Sequence, residues 1–161
     1  MLKRFASVLV VAVLAGGFVA GCANNQKAVK GPEHSMSEPV AIKKAQAGSD
    51  AALTSAGVQV VNSDVEMNEL GADLAALKPN FDEESVVILS LGEKNTGGYW
   101  VEITGVQQVG ETLYVQGRAN QPGENEIVTE AIEYPYAAVV IEKVEPASVI
   151  PDLDQVEGQS K

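Results

Sequence analysis

Two side chains with strong intrinsic chemistry, a thiol and an imidazole, each occur once in this chain of 161 residues, as Cys22 and His34. A single cysteine forms no disulfide within the chain and no cysteine-based metal site. His34 lies among Gly, Pro, Glu and Ser residues that are typical of a linker, so no packed element holds its imidazole for a Ser-His-Asp triad. Zinc sites need several His or Cys ligands. The sequence therefore predicts no nucleophilic triad, no metal site and no cofactor.

Cys22 instead ends a secretory signal. Lys3 and Arg4 form a positive start, a short apolar run follows, and Val19-Ala20-Gly21 precedes the cysteine. The pattern resembles a bacterial lipoprotein signal, which implies cleavage before Cys22, a thioether lipid on its sulfur and acylation of the new amine. The apolar run barely reaches the ~20 residues of a membrane-spanning helix. Because Ala23 follows, where inner-membrane retention usually needs Asp, we expect a lipid-anchored protein of the cell envelope at the outer membrane.

Charge excludes further classes of function. The chain has 22 acidic and 11 basic residues; cleavage before Cys22 leaves nine basic ones and a net charge of −13. Such a surface repels phosphate backbones, so we expect no nucleic acid partner. The many glutamates show no spacing that selects a pair for general acid–base work, and we expect no enzyme. Asp152 and Asp154 lack the glycine and remaining ligands of a calcium loop.

Composition divides the chain into four segments. We expect a signal peptide at 1–21, a flexible tether at 22–56, a β domain at 57–144 and a loose acidic tail at 145–161, because the tether and the tail have few large apolar residues. Alternation and β-branched runs predict mainly β structure: a small antiparallel sandwich or half-barrel with one N-terminal helix packed on it. The expected helix is 63–77, with Ser63 as N-cap and Glu66 completing a capping box. The expected strands are 57–62, 85–91, 99–104, 112–118, 126–132 and 136–144.

The strands around Gly110 and Glu111 predict a hairpin with an irregularity. A two-residue loop there pairs Val109 with Thr112 and places Leu113 on the face of Trp100, against the apolar pattern. We therefore expect a bulge or an odd-length loop between residues 106 and 110.

Two distinctive stretches carry a resemblance, LGEKNTGGYWVEI at 91–103 and EAIEYPYAAVVIEKV at 130–144. Together they resemble the C-terminal domain of the protease complex subunit family, the PrcB type, over roughly 58–144. Asn95 and Trp100 depart from the pattern, which usually has Pro and a small polar residue there. The family takes its name from an accessory lipoprotein of a surface serine-protease complex. The resemblance implies no catalytic residues and a protein partner, such as an extracytoplasmic protease.

The first stretch is also the candidate binding surface. We expect Trp100 to lie on the face opposite Tyr99, Val101 and Ile103, beside the glycine-rich loop, where a tryptophan is typical of an interface. Burial of this ring under the tail or under the loop at 120–125 is the alternative. A tight turn that requires glycine explains Gly97 and Gly98 without any binding. The loop also resembles one loop of chagasin-type cysteine protease inhibitors, so an inhibitor module and a purely structural lipoprotein stay as alternatives. The candidate partner-binding residues are Lys94, Asn95, Thr96, Gly97, Gly98 and Trp100.

Overall fold

The computed structural model describes residues 38–74 and 76–157. Cys22, the signal peptide and residues 22–37 of the expected tether lie outside this range. The described part has eight strands and one helix: β1 (Glu38–Pro39), β2 (Lys44–Ser49), β3 (Ala56–Val61), α1 (Asp64–Leu70), β4 (Glu84–Leu91), β5 (Trp100–Val109), β6 (Thr112–Gln121), β7 (Pro135–Glu142) and β8 (Ser148–Glu157). Sheet A has the order β1-β5-β6-β8 and sheet B the order β2-β7-β4-β3. Neither sheet closes on itself, and the predicted mainly β class is confirmed.

Sheet B is buried on both faces at its centre, where β4 pairs antiparallel with β7. Val86 and Ile88 pack in a cluster beneath α1, whereas Val87 and Leu89 pack towards sheet A. This two-sided burial explains why β4 reads as a continuous apolar run without alternation. The core therefore has two levels, one on each side of sheet B.

Helix α1 covers sheet B and begins at the predicted cap. The Ser63 hydroxyl accepts a hydrogen bond from the backbone N–H of Glu66 at 3.2 Å, and the Glu66 carboxylate accepts from the backbone N–H of Asn62 at 2.6 Å. The helix ends at Leu70, not at residue 77, because Gly71 adopts a left-handed conformation with φ 70°. Leu74 and Leu77 are still buried against sheet B, although they follow the helix.

Sheet A is built on the β5–β6 hairpin, whose loop is the two-residue one at Gly110 and Glu111, not an odd-length loop. Val109 pairs with Thr112 and Val106 with Val115. The predicted bulge exists, but it lies between Ile103 and Gly105, outside the expected range. It returns Val101 and Leu113 to the same buried face.

The expected tether was wrong for residues 38–49, which contain β1 and β2. Strand β2 pairs with β7 over six residues, from Lys44 opposite Val140 to Ser49 opposite Pro135. The amino-acid composition wrongly predicted a tether here because β2 joins the sheet through its backbone, while five of its six residues are exposed. A strand held in this way needs few large apolar residues.

The loose tail was wrong as well, since Ser148–Glu157 forms β8. This strand runs parallel to β6 over ten residue pairs, so the sandwich is not purely antiparallel. Val149 and Leu153 pack against the core between the sheets, whereas Asp152 and Asp154 are exposed. The expected strand at 126–132 was also wrong: this part of the chain is a loop, followed by one isolated bridge between Glu133 and Lys94.

Candidate functional site

The loop between β4 and β5, residues 92–99, is held by a second loop, residues 122–134. Lys94 and Glu133 exchange two backbone hydrogen bonds of 2.8 and 3.0 Å. The backbone N–H of Gly97 donates to the carbonyl of Thr129 at 2.9 Å. On the other side, the Asn120 side-chain amide donates to the carbonyl of Gly98 at 2.9 Å. The candidate loop is therefore clamped from two sides by backbone and side-chain contacts.

Glycine is favoured at the adjacent positions 97 and 98 for two different structural reasons. Gly98 has φ 89°, a conformation that L side chains rarely adopt. Gly97 is favoured by space, because a Cβ atom built there would lie 2.3 Å from the Thr129 hydroxyl and 3.2 Å from the Glu133 carboxylate, so that these side chains would have to shift. These contacts favour the tight-turn explanation of the glycine pair. A clamped turn is also compatible with a binding loop, so the site remains a prediction.

The loop offers polar groups at its tip. Asn95 is exposed, and Lys94 and Thr96 are half-buried. The Lys94 ammonium lies 5.4 Å from the centre of the Tyr99 ring, within the range of a cation–π contact. This contact orients both side chains without burying the charge.

Trp100 begins β5 directly after this loop. It is half-buried and lies opposite Asn120 in the hairpin register. By strand alternation it shares a face with Glu102, which forms an ion pair with Arg118 at 3.2 Å, while Val101 is buried on the other face. Trp100 thus lies on the face expected relative to Val101. We refer to residues 94–100 as the rim.

A cleft of about 390 Å³ lies beside the rim, lined by Ala47, Gly48, Ser49, Tyr99, Trp100, Val101, Glu133, Pro135 and Tyr136. One wall of the cleft is β2, which the sequence analysis placed in the tether. Strand β2 has the sequence KAQAGS, without a β-branched or large apolar residue, so no local signal identified this wall. The Tyr134-Pro135-Tyr136 element was noticed in the sequence, but the part that Pro135 and Tyr136 take in lining this cleft was not predicted.

Two tyrosines at this end have perturbed ionisation. The Tyr134 hydroxyl donates to the Glu93 carboxylate at 3.0 Å, and this bond to a negative group raises the tyrosine pKa. Burial raises the pKa of Tyr136, whose hydroxyl accepts a hydrogen bond from the Gln46 amide at 2.7 Å. Both rings are therefore neutral at physiological pH and act as hydrogen-bonding, packing groups.

Within 38–74 and 76–157, no three His, Cys, Asp or Glu side chains come together as a metal-binding group. In that part of the chain, no helix has the length and apolar character to cross a membrane.

The comparison with known families supports the resemblance. Residues 85–142, from β4 to the end of β7, match the family model described as PrcB C-terminal. The family expected from the sequence is thereby confirmed for this segment, which includes the rim and both loops that form it. No curated protein and no solved structure matches the chain.

Proposed function

We propose that this chain is a non-catalytic lipoprotein, anchored at the cell envelope through Cys22, that binds a protein partner with its rim. The partner class that we favour is an extracytoplasmic protease, for which the chain is an accessory subunit. The match of residues 85–142 to the PrcB C-terminal family supports an association with a protease complex.

The observation that carries the proposal is the clamped loop beside Trp100. Binding through a mobile loop costs conformational entropy, and a loop that is already held loses less on association. Here the hydrogen bonds from Gly97 to Thr129 and from Asn120 to Gly98 hold the loop in the isolated chain. The polar tip at Asn95 and the large ring of Trp100 then provide a polar contact and an aromatic anchor.

The test compares two aromatic substitutions on one sheet face. Trp100→Ala removes the rim anchor, and Tyr114→Ala removes a half-buried aromatic ring near the far end of the same hairpin. A photo-crosslinking residue at exposed Asn95 captures the partner in intact cells, and mass spectrometry identifies it. We expect Trp100→Ala to weaken capture by about 2 kcal/mol or more, whereas Tyr114→Ala leaves capture unchanged.

Thermal melting of both variants distinguishes binding from folding. If Trp100→Ala melts like the parent chain and captures the same partner equally well, the rim is not the binding surface. A protease as the captured partner would support the favoured class, and activity of that protease with and without this chain would distinguish an accessory subunit from an inhibitor.

A further inference from the structure

Strand β2 is an edge of sheet B with an accessible backbone. The backbone N–H of Asp50 donates to the carbonyl of Tyr134 at 3.1 Å, in the same register that pairs Ser49 with Pro135. Because hydrogen bonding alternates along an antiparallel pair, the even-numbered residues of β2 bond to β7. Ala45, Ala47 and Ser49 therefore turn their N–H and C=O groups away from β7. No strand of the described residues pairs with this outer side of β2.

The other sheet edges carry features that discourage pairing with a further strand. Strand β8 contains Pro151 and the exposed Asp152 and Asp154, β3 contains Gly57 with φ 144°, and β1 has only two residues. Strand β2 has no proline and no break in its six-residue register. The ammonium of Lys44, the one charged residue of β2, bonds to two backbone carbonyls of the segment after α1, at 2.8 and 2.9 Å. It is thus directed to the covered side of sheet B, and the outer edge is left unprotected.

Space for side chains lies next to this edge. The rim cleft of about 390 Å³ continues along β2 with a second cleft of about 240 Å³, which is lined in part by Ala45, Ala47, Ile103 and Val139. The small side chains of β2 leave these clefts open. Among the described residues that line them, the charged ones are Glu102 and Glu133. Because Glu102 is already paired with Arg118, the attraction for a basic group comes from the Glu133 carboxylate and from the net charge of −11 of the chain. Apolar walls and this negative charge suit a strand in which apolar and basic side chains alternate.

We infer that β2 is a strand-addition site, where an extended, basic segment of a protein partner pairs with Ala45, Ala47 and Ser49. This inference rests on the proposed function as a protein-binding module and specifies its mode of recognition. Main-chain hydrogen bonds supply affinity in such complexes, and pockets for alternate side chains supply specificity. A second copy of this chain is a poorer occupant, because each copy has a net charge of −11 before processing and −13 after it.

The test uses a synthetic peptide as long as β2 in which lysine and valine alternate. The full chain is held in detergent micelles, and amide hydrogen exchange is followed by NMR. With the peptide at about ten times its Kd, exchange at Ala45, Ala47 and Ser49 should slow about tenfold. A peptide with proline at its centre, and one with glutamate in place of lysine, should give no protection.

Two variants locate the contact. Ala47→Pro removes an outward N–H and should weaken peptide binding about tenfold, whereas Ala47→Ser keeps this donor and should bind like the parent. The exchange measurement on the unaltered chain keeps the test decisive if Ala47→Pro lowers the melting temperature.

Three outcomes overturn the inference: no protection of β2, protection confined to the rim, or the same protection from concentration-dependent dimers without peptide. None of these outcomes affects partner capture through the rim, which is measured in cells by crosslinking. A failure of the proposed function would appear in that capture experiment and not in the peptide titration.

Discussion

Gly97→Ala is the most informative single substitution at the rim, because its expected loss of stability comes from one identified steric contact. The new Cβ would lie 2.3 Å from the Thr129 hydroxyl oxygen, about 1 Å closer than ordinary contact allows. The 2.9 Å hydrogen bond from the Gly97 N–H to the Thr129 carbonyl holds the two backbones at this separation. The clash is therefore relieved only if the Thr129 side chain rotates or this hydrogen bond lengthens. Because Thr129 is exposed and its side chain can rotate, we expect a loss of about 1 kcal/mol in the free energy of unfolding, at the lower end of the range for overpacked sites.

A second substitution shows whether this contact is the cause. Thr129→Ala removes the hydroxyl oxygen at an exposed position and should change stability by less than about 0.5 kcal/mol. In the double variant, it should restore more than half of the loss caused by Gly97→Ala. Gly98→Ala is the matched control, since its cost of about 1–3 kcal/mol comes from φ 89° and from tight contacts with Val128 and Pro122, which Thr129→Ala should not relieve.

Urea denaturation measures these differences, and thermal melting should shift by roughly 4 °C for each kcal/mol. Trp100 is the only tryptophan, so its fluorescence reports on this end of the sandwich. The reasoning is refuted if Gly97→Ala unfolds like the parent chain. It is equally refuted if Thr129→Ala restores Gly98→Ala as well as it restores Gly97→Ala.

Three further predictions concern the anchor, ionisation and the last strand. Cys22→Ser should release the protein from membranes or leave it unprocessed; a parent chain that fractionates as soluble, with an unacylated N-terminus, would contradict lipidation. Glu93→Ala should return the raised pKa of Tyr134 towards its ordinary value near 10, as measured by NMR of labelled tyrosine, with Tyr136 as the unaffected reference. Because the folded-state pKa of Tyr134 is the higher one, the stabilisation from this bond is present below the ordinary tyrosine pKa and disappears as the pH rises through the folded value. Ending the chain after Pro146 removes β8 and exposes core contacts of β6, so the free energy of unfolding should fall by at least about 2 kcal/mol; unchanged melting would show that β8 contributes little.

Local signals in the sequence were sufficient for the centre of the fold. Strands β4 and β7 are runs of β-branched residues that are buried, and they were predicted nearly to their ends. Ser63 was predicted as the N-cap because a capping box is complete within four residues. The bulge was inferred from a conflict of faces, and Gly105, a glycine inside a strand, was the local signal for its true position.

Long-range backbone pairing gave no comparable signal. Gln46 of β2 and its hydrogen-bond partner Tyr136 are 90 residues apart, and nothing in the sequence KAQAGS requires a strand. The clamp on the rim was missed for a similar reason. It consists of one isolated bridge between Lys94 and Glu133 and of single hydrogen bonds from Gly97 to Thr129 and from Asn120 to Gly98. The β-like residues at 126–132 had predicted a full strand there instead. Surfaces built from such contacts become visible only when the fold is known.

The position of β7 between β2 and β4 has a consequence for how the chain reaches its native state. A chain that emerges N-terminus first presents β2, β3 and β4 long before residue 135, which begins their missing central strand. Until then, the apolar residues 86–89 of β4 lack both their β7 partner and the full sandwich around them. Among the described strand pairs, only β5–β6 is joined by a two-residue loop, and β8 completes this sheet last. The apolar strands of this domain therefore lack their central partner until β7 has been made, and the nascent chain needs protection until then from aggregation through its unpaired strands.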